Sequence, residues 1–235
     1  MKSYPLLMTT LIAVAAVLPQ AVHAERPLQT EAAEVLERGG CEFELASDRL
    51  RRGGERATDN GVGLGCGIGW RTQVGLELSR SRAGGESGRG AAFVGKASLW
   101  KGAGEDGPAL TLAWALASSR EGGRWQRAED DLRLVATLPV GSGWVHANLG
   151  HLRERGPRRT LATWGVAYEH EGLAAGRIKL APMVETFGDD RESPWLNLGL
   201  RLTVVPDRVL VNLSWGRQTG DARPRLATAA LKLVF

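Results

Sequence analysis

Beyond its first two dozen residues this chain has no apolar run near the ~20 residues of a membrane-spanning helix. That excludes a helical membrane protein. Its mean hydropathy lies slightly below zero. Only 2 cysteines are present, Cys41 and Cys66, and a redox or metal site built on them finds no further ligand nearby in sequence. Histidine is almost as scarce. His146, His151 and His170 lie downstream of the N-terminal region, and the strand pattern below puts the last two at opposite ends of their strands, so they form no metal site. The net charge of +4 is modest and, in an exported chain, is no argument for nucleic acid.

Export is written in the N-terminus. Met1-Lys2-Ser3 is a short basic opening, Leu6 to Leu18 is apolar but for Thr9 and Thr10, and Val22 and Ala24 suit a cleavage after Ala24. Residues 1–24 therefore read as a signal peptide. Residues 25–38 are polar with scattered apolar positions and read as a periplasmic segment; a short plug in a lumen is the sharper alternative.

From residue 39 to 235 a different rhythm holds: alternating segment, connection, alternating segment. In the final stretch, Phe235, Leu233, Leu231, Ala229 and Ala227 share one face, opposite Lys232 and Thr228. Its length matches the roughly 9–11 residues of a tilted membrane-crossing strand. Ending on Phe235, it resembles the C-terminal assembly signal of bacterial outer-membrane barrels. Upstream, Cys41, Phe43 and Leu45 oppose Glu42 and Glu44, and Val62 to Trp70 oppose an unbroken row from Gly61 to Gly69. The glycine row favours open space or close packing and does not distinguish them. Leu198, Leu200 and Leu202 oppose Asn197 and Arg201. The count reaches twelve such segments, joined alternately by tight turns and by longer polar stretches such as 49–60, 79–89 and 118–130. The pattern predicts an all-β fold, a transmembrane antiparallel up-and-down barrel of about twelve strands, with turns in the periplasm, loops outside, lipid on the apolar face and water on the other. Trp70, Trp100 and Trp144 at one end, with Trp195 and Trp215 at the other, read as the aromatic girdles.

The chemistry then rests with the lumen. The alternation assigns to it Glu42, Glu44, Glu77, Lys96, Arg133, His146, Lys179, Arg201 and Lys232. Closure brings the last strand beside the first, so Lys232 approaches Glu42 or Glu44. These charges either fill a narrow interior or line a conduit with an acidic and a basic wall. Folding the first hairpin about its loop sets Cys41 opposite Cys66, at disulfide reach in an oxidising compartment. Asp189, Asp190 and His151 are the group to weigh for an outer-membrane hydrolase, but the acidic stretch reads more simply as a solvated turn. No catalytic, cofactor or metal residues are assigned.

The stretch from Arg26-Pro27-Leu28-Gln29-Thr30-Glu31 through Leu36-Glu37-Arg38-Gly39 into Cys41-Glu42-Phe43-Glu44-Leu45 resembles the outer-membrane transporter family associated with the meta-cleavage pathway of phenol degradation. That resemblance implies a barrel passing small, often aromatic, solutes. The expectation is a channel in the outer membrane of a Gram-negative bacterium. Its expected partners are membrane lipid and lipopolysaccharide, the barrel-assembly machinery and a small solute. A non-conducting structural barrel is the alternative.

Overall fold

The computed structural model describes residues 28–104, 107–121 and 123–235; the expected signal peptide lies outside the described residues. Strands run in chain order as β1 (Cys41–Arg52), β2 (Glu55–Gly69), β3 (Thr72–Ala83), β4 (Glu86–Lys101), β5 (Ala109–Glu121), β6 (Arg124–Val140), β7 (Gly143–Glu154), β8 (Arg159–His170), β9 (Leu173–Ala175), β10 (Ile178–Asp189), β11 (Trp195–Val205), β12 (Val209–Gln218) and β13 (Arg225–Val234). The three-residue β9 continues the line of β8 along the base of β10. The twelve long strands are each antiparallel to both neighbours, and β1 pairs with β13, so the sheet closes and no edge is left unpaired. The chain end makes the seam: the Cys41 amide donates to the Phe235 carbonyl at 2.7 Å and the Phe235 amide to the Cys41 carbonyl at 2.9 Å. Below, the near rim is the end holding Cys41 and Phe235, and the far rim is the other.

Burial is inverted relative to a soluble protein. Outward positions are large and apolar, as at Leu64, Leu76, Leu149 and Leu198, all at least half exposed. Inward positions are polar and buried, as at Thr111, Glu185, Asn197 and Asn212. Lipid outside and hydrogen-bonding groups inside account for both.

Three sequence expectations change here. The first three polar stretches at the far rim are not loops, while short connections remain at 155–158, 190–194 and 219–224. β1 runs on to Arg52 and β2 restarts at Glu55, around Gly53-Gly54, and Gly84-Gly85 joins β3 to β4 in the same way. In both pairs both residues have positive φ, the geometry of a tight two-residue hairpin. Charge does not interrupt a strand that has already cleared the bilayer. The connections are accordingly not sorted by length, and one of the longer ones, residues 102–108, lies at the near rim.

Two tryptophans leave the girdle. Trp195 shares inward parity with Asn197, is buried, and stacks on Phe187 at 6.0 Å between ring centres. Trp144 shares parity with His146 and lines the lumen. Trp70, Trp100 and Trp215 remain outward and exposed.

The third change concerns the segment ahead of β1. Residues 28–38 do not hang below the barrel; they run inside it, with Leu28, Thr30, Glu31, Ala32 and Ala33 all buried. The glycine row explains how. A Cβ on Gly67 would collide with the Glu37 carbonyl, while Gly63 and Gly65 accommodate the side chains of Glu77 and Glu42. The Gly39 amide donates to the Gly67 carbonyl and the Gly67 amide to the Gly40 carbonyl, each at 2.9 Å. The row serves close packing, not open space.

Cys41 and Cys66 are directly opposed in the β1–β2 ladder and form a disulfide, with a Cα–Cα separation of 4.1 Å. Protein isolated without reductant should show no free thiol on titration. Cys66→Ser should leave the barrel folded and lower its stability by about 2–4 kcal/mol at most, since closure already holds both strands. A full complement of free thiols, or loss of the barrel in Cys66→Ser, would contradict this.

Candidate functional site: the lumen and the segment across it

From Gly40 the chain turns back into the barrel and crosses it from the β2–β3 wall to the β8–β10 wall. Each step is held by an inward side chain. The Leu36 amide donates to Gln73 Oε1 at 2.8 Å, and the Ala33 amide to Thr137 Oγ1 at 2.8 Å. The Ala33 carbonyl accepts from Thr111 Oγ1 at 2.6 Å and the Ala32 carbonyl from Lys96 Nζ at 3.1 Å. At the far wall the Glu185 carboxylate accepts the Gln29 amide at 2.8 Å, the Thr30 amide at 2.8 Å and Asn197 Nδ2 at 2.7 Å. Leu28 packs against Ala167, Ala181 and Met183, and Ala33 against Ala109, Ala113 and Val135. These inward alanines leave the room that the crossing chain fills.

The segment also carries a charge into the middle of the lumen. Glu31 lies 3.3 Å from Lys96 Nζ and 3.3 Å from Arg133 Nη1, and Arg133 Nη2 also reaches Asp131 at 2.5 Å. With its amide turned so that Oδ1 faces the Glu31 amide, Asn148 accepts from that amide at 2.6 Å and donates to the Glu31 carbonyl at 3.0 Å. Backbone and side chain of Glu31 are thus both fixed. The buried acid has two cations against it, which is the condition for keeping a charge away from bulk water.

All nine residues assigned to the lumen take the inward parity, but they do not form one lining. Glu42 pairs with Lys232 at 3.0 Å, and Glu44 and Glu77 stand on the same wall. Lys96 and Arg133 are engaged by Glu31. His146 is buried, with Nδ1 at 2.9 Å from Thr137 Oγ1 and Nε2 at 3.7 Å from Glu169. Arg201 reaches Glu169 at 2.8 Å and Asn212 at 3.1 Å, so it is a braced wall residue. Lys179 sits exposed at the near rim, where it borders no cavity. Asp189 accepts the amides of Arg191 and Glu192, and Asp190 that of Ala162 in β8, so one carboxylate holds the turn after β10 and the other ties it to the neighbouring strand. His151 faces outward, away from them.

Sequence reasoning missed Glu31, Glu185, Asn148 and Asn197 as a set. Glu185 and Asn197 are cross-strand partners on the inward face, a signal present in the alternation. Glu129 and Glu154 were hidden in stretches read as loops, and Asp131 stood just past the edge of one.

The crossing chain divides the interior. Toward the near rim lies a cavity of about 1220 Å³, bounded by Glu42, Glu44, Glu77 and Lys232. Toward the far rim lies one of about 170 Å³, lined in part by Leu50, Leu161, Phe187 and Trp195. Arg133 borders both, at the level of Glu31.

No family model matches the chain, and no curated protein matches it. Solved structures do. The KdgM porin in complex with disordered oligogalacturonate is 8% identical, with 82% of this chain and 99% of that one covered and a TM-score of 0.56. The NanC porin is 5% identical over 80% of this chain and 98% of its own, at a TM-score of 0.52. The β domain of the Bordetella autotransporter Brka is 16% identical over 85% of this chain and all of its own (100%), also at 0.52. What this chain shares with all three is the fold, that of outer-membrane β-barrels.

Proposed function

We propose that this chain is an outer-membrane channel for passive passage of small solutes, with its N-terminal segment setting the open cross-section. The observation that carries this reading is the interior itself: a polar lumen with a large charged cavity, narrowed by one thin segment and not by a packed core. The near rim is periplasmic and the far rim faces outside, and the bacterium is Gram-negative. Phe235, exposed and closing the seam with Cys41, suits recognition by the barrel-assembly machinery. The carboxylates at Asp189 and Asp190 are committed to backbone amides, which supports a channel over a hydrolase.

The far-side cavity supports an aromatic solute. Its volume of about 170 Å³ is close to the ~150 Å³ of an apolar cavity that takes benzene, and the mutually stacked Phe187 and Trp195 are part of its lining. The second reading, a structural barrel, is favoured by how completely the crossing segment is hydrogen-bonded.

Planar-bilayer recording separates the two. The mature protein should give discrete conductance steps, and phenol added on the far side should interrupt them. Leu50→Trp, which fills the cavity, should abolish the interruption while leaving the steps. Absence of current from both the mature chain and a chain without residues 28–36 would establish the structural barrel instead.

A further inference from the structure

On the outward face, above the apolar belt, arginines from neighbouring strands stand directly against one another. In the far-rim ladder Arg217 of β12 pairs with Arg225 of β13, Arg225 with Arg51 of β1, and Arg51 with Arg56 of β2. The run resumes two same-face steps lower on the next three strands, where Arg80 of β3 pairs with Arg89 of β4 and Arg89 with Arg120 of β5. Arg49 and Arg82 fill the positions between, each opposite Thr58. Seven successive strands thus carry nine outward arginines.

Like charges directly opposed across a ladder are destabilising. Arg120 Nε donates to the Gly123 carbonyl at 3.1 Å, but no carboxylate among the described residues offsets the row. Among the described residues, no outward position in the far halves of these strands is Asp or Glu; Glu55 and Glu86, at the hairpin tips, take the inward parity. The opposite wall is different. There the outward Asp130 accepts both Arg127 and Arg155. One side of the far rim is neutralised from within and the other is not.

We propose that the wall formed by β12, β13 and β1 to β5 binds the phosphate groups of outer-leaflet glycolipid, the lipid A portion of lipopolysaccharide. Three features select that occupant. The arginines face away from the lumen, so a permeating solute does not meet them. Eight of the nine are exposed, and Arg217 partly so. Each row stands just above apolar side chains, with Arg80 one same-face step, roughly 7 Å, beyond Leu78 and Arg217 one step beyond Trp215. A ligand that fits has acyl chains below and phosphates above. All nine are arginine, none lysine, and guanidinium pairs phosphate oxygens two at a time. The proposal rests on the far rim facing outside.

The test uses the folded, delipidated protein in detergent, titrated by native mass spectrometry with lipid A, dephosphorylated lipid A and phosphatidylglycerol. Lipid A should bind, more weakly as salt rises. The variant carrying Arg51→Gln, Arg56→Gln, Arg217→Gln and Arg225→Gln should bind it about 1000-fold less tightly, from roughly 1 kcal/mol per arginine near a charged lipid surface. Arg127→Gln with Arg155→Gln, on the neutralised wall, should bind as the parent does. Equal binding of lipid A by the parent and the folded quadruple variant overturns the proposal. So does equal binding of phosphorylated and dephosphorylated lipid A by the parent, which decides the matter even if the quadruple variant does not fold. Phosphatidylglycerol binding as tight as lipid A overturns the choice of glycolipid. Binding in detergent depends neither on conduction nor on orientation, so its failure leaves the channel reading standing. Orientation is read separately, from labelling of Gly85→Cys on intact cells by an impermeant thiol reagent.

Discussion

Excision of residues 28–36 should raise the unit conductance severalfold while the barrel stays folded and heat-modifiable on gels. The segment spans the lumen at the level where Arg133 borders both cavities, so it defines the narrowest passage. Removing it joins the two spaces. The barrel survives because the strands owe their hydrogen bonds to each other, and the groups that held the segment are ones water can serve. Glu185, Thr137, Thr111 and Gln73 all lie on a lumen that would then fill. Lys96 and Arg133 lose Glu31, so the wider pore should also shift toward anion selectivity, since Arg133 keeps Asp131 while Lys96 gains exposure. A point variant gives the intermediate case. Glu185→Ala leaves the amides of Gln29 and Thr30 and the amide group of Asn197 without their acceptor, at about 1–3 kcal/mol for each group that stays dry. The segment should loosen at that wall first, giving flickering between the parent and the excised conductance. An unchanged unit conductance after excision would mean that the path of ions does not pass the segment.

How much of this was legible beforehand varies with the kind of signal. The strand count, the closure and the inward parity of all nine lumen charges came from period-two alternation, which the bilayer enforces because a one-residue slip exchanges lipid and water for every side chain. The Cys41–Cys66 bond followed from the same register. The far-rim strands did not, because above the bilayer both faces meet water and the alternation dissolves into charge; Arg49 to Arg52 look like loop in a sequence although they are strand. Trp195 was misplaced by position, when its own parity with Asn197 already set it inside. The crossing segment was legible only as the alternative of a short plug, ranked behind a periplasmic segment, for a deeper reason. Residues 28–36 have no regular period, and their burial depends on small groups elsewhere: alanines at 109, 113 and 167, and glycines at 63, 65 and 67. Those gaps were visible as composition but not as a shape with an occupant. Glu185, the acceptor that anchors the segment, reads in sequence as one more lumen charge.

Leu198→Arg should destabilise the protein in a bilayer by ~1–2 kcal/mol, whereas the same change on a soluble sheet would be close to neutral. Leu198 is 62% exposed, outward, and opposed by Val184 and Trp215, so no protein group is displaced when it is replaced. A guanidinium at that spot in water simply hydrates. In hydrocarbon it must reach for the interface along its own strand, and the cost is that of a charge held between mid-membrane and the girdle that Trp215 marks opposite it. The neighbouring inward residue supplies the contrast. Asn197 is 2% exposed and donates to Glu185, so Asn197→Leu matches the apolar preference that the outward face would show and yet removes a buried donor from a carboxylate. Its expected cost is about 1.5–3 kcal/mol, the range for hydrogen bonds to charged groups, through polar satisfaction and not through lipid. Equilibrium unfolding from lipid vesicles in guanidinium measures both. Repeating Leu198→Arg in bilayers of shorter acyl chains should shrink its penalty, as the guanidinium finds the interface sooner, and leave that of Asn197→Leu where it was. If Leu198→Arg were neutral while Asn197→Leu was costly, the exposed leucine face would be in contact with water, and the barrel would not stand in a membrane as its two faces require.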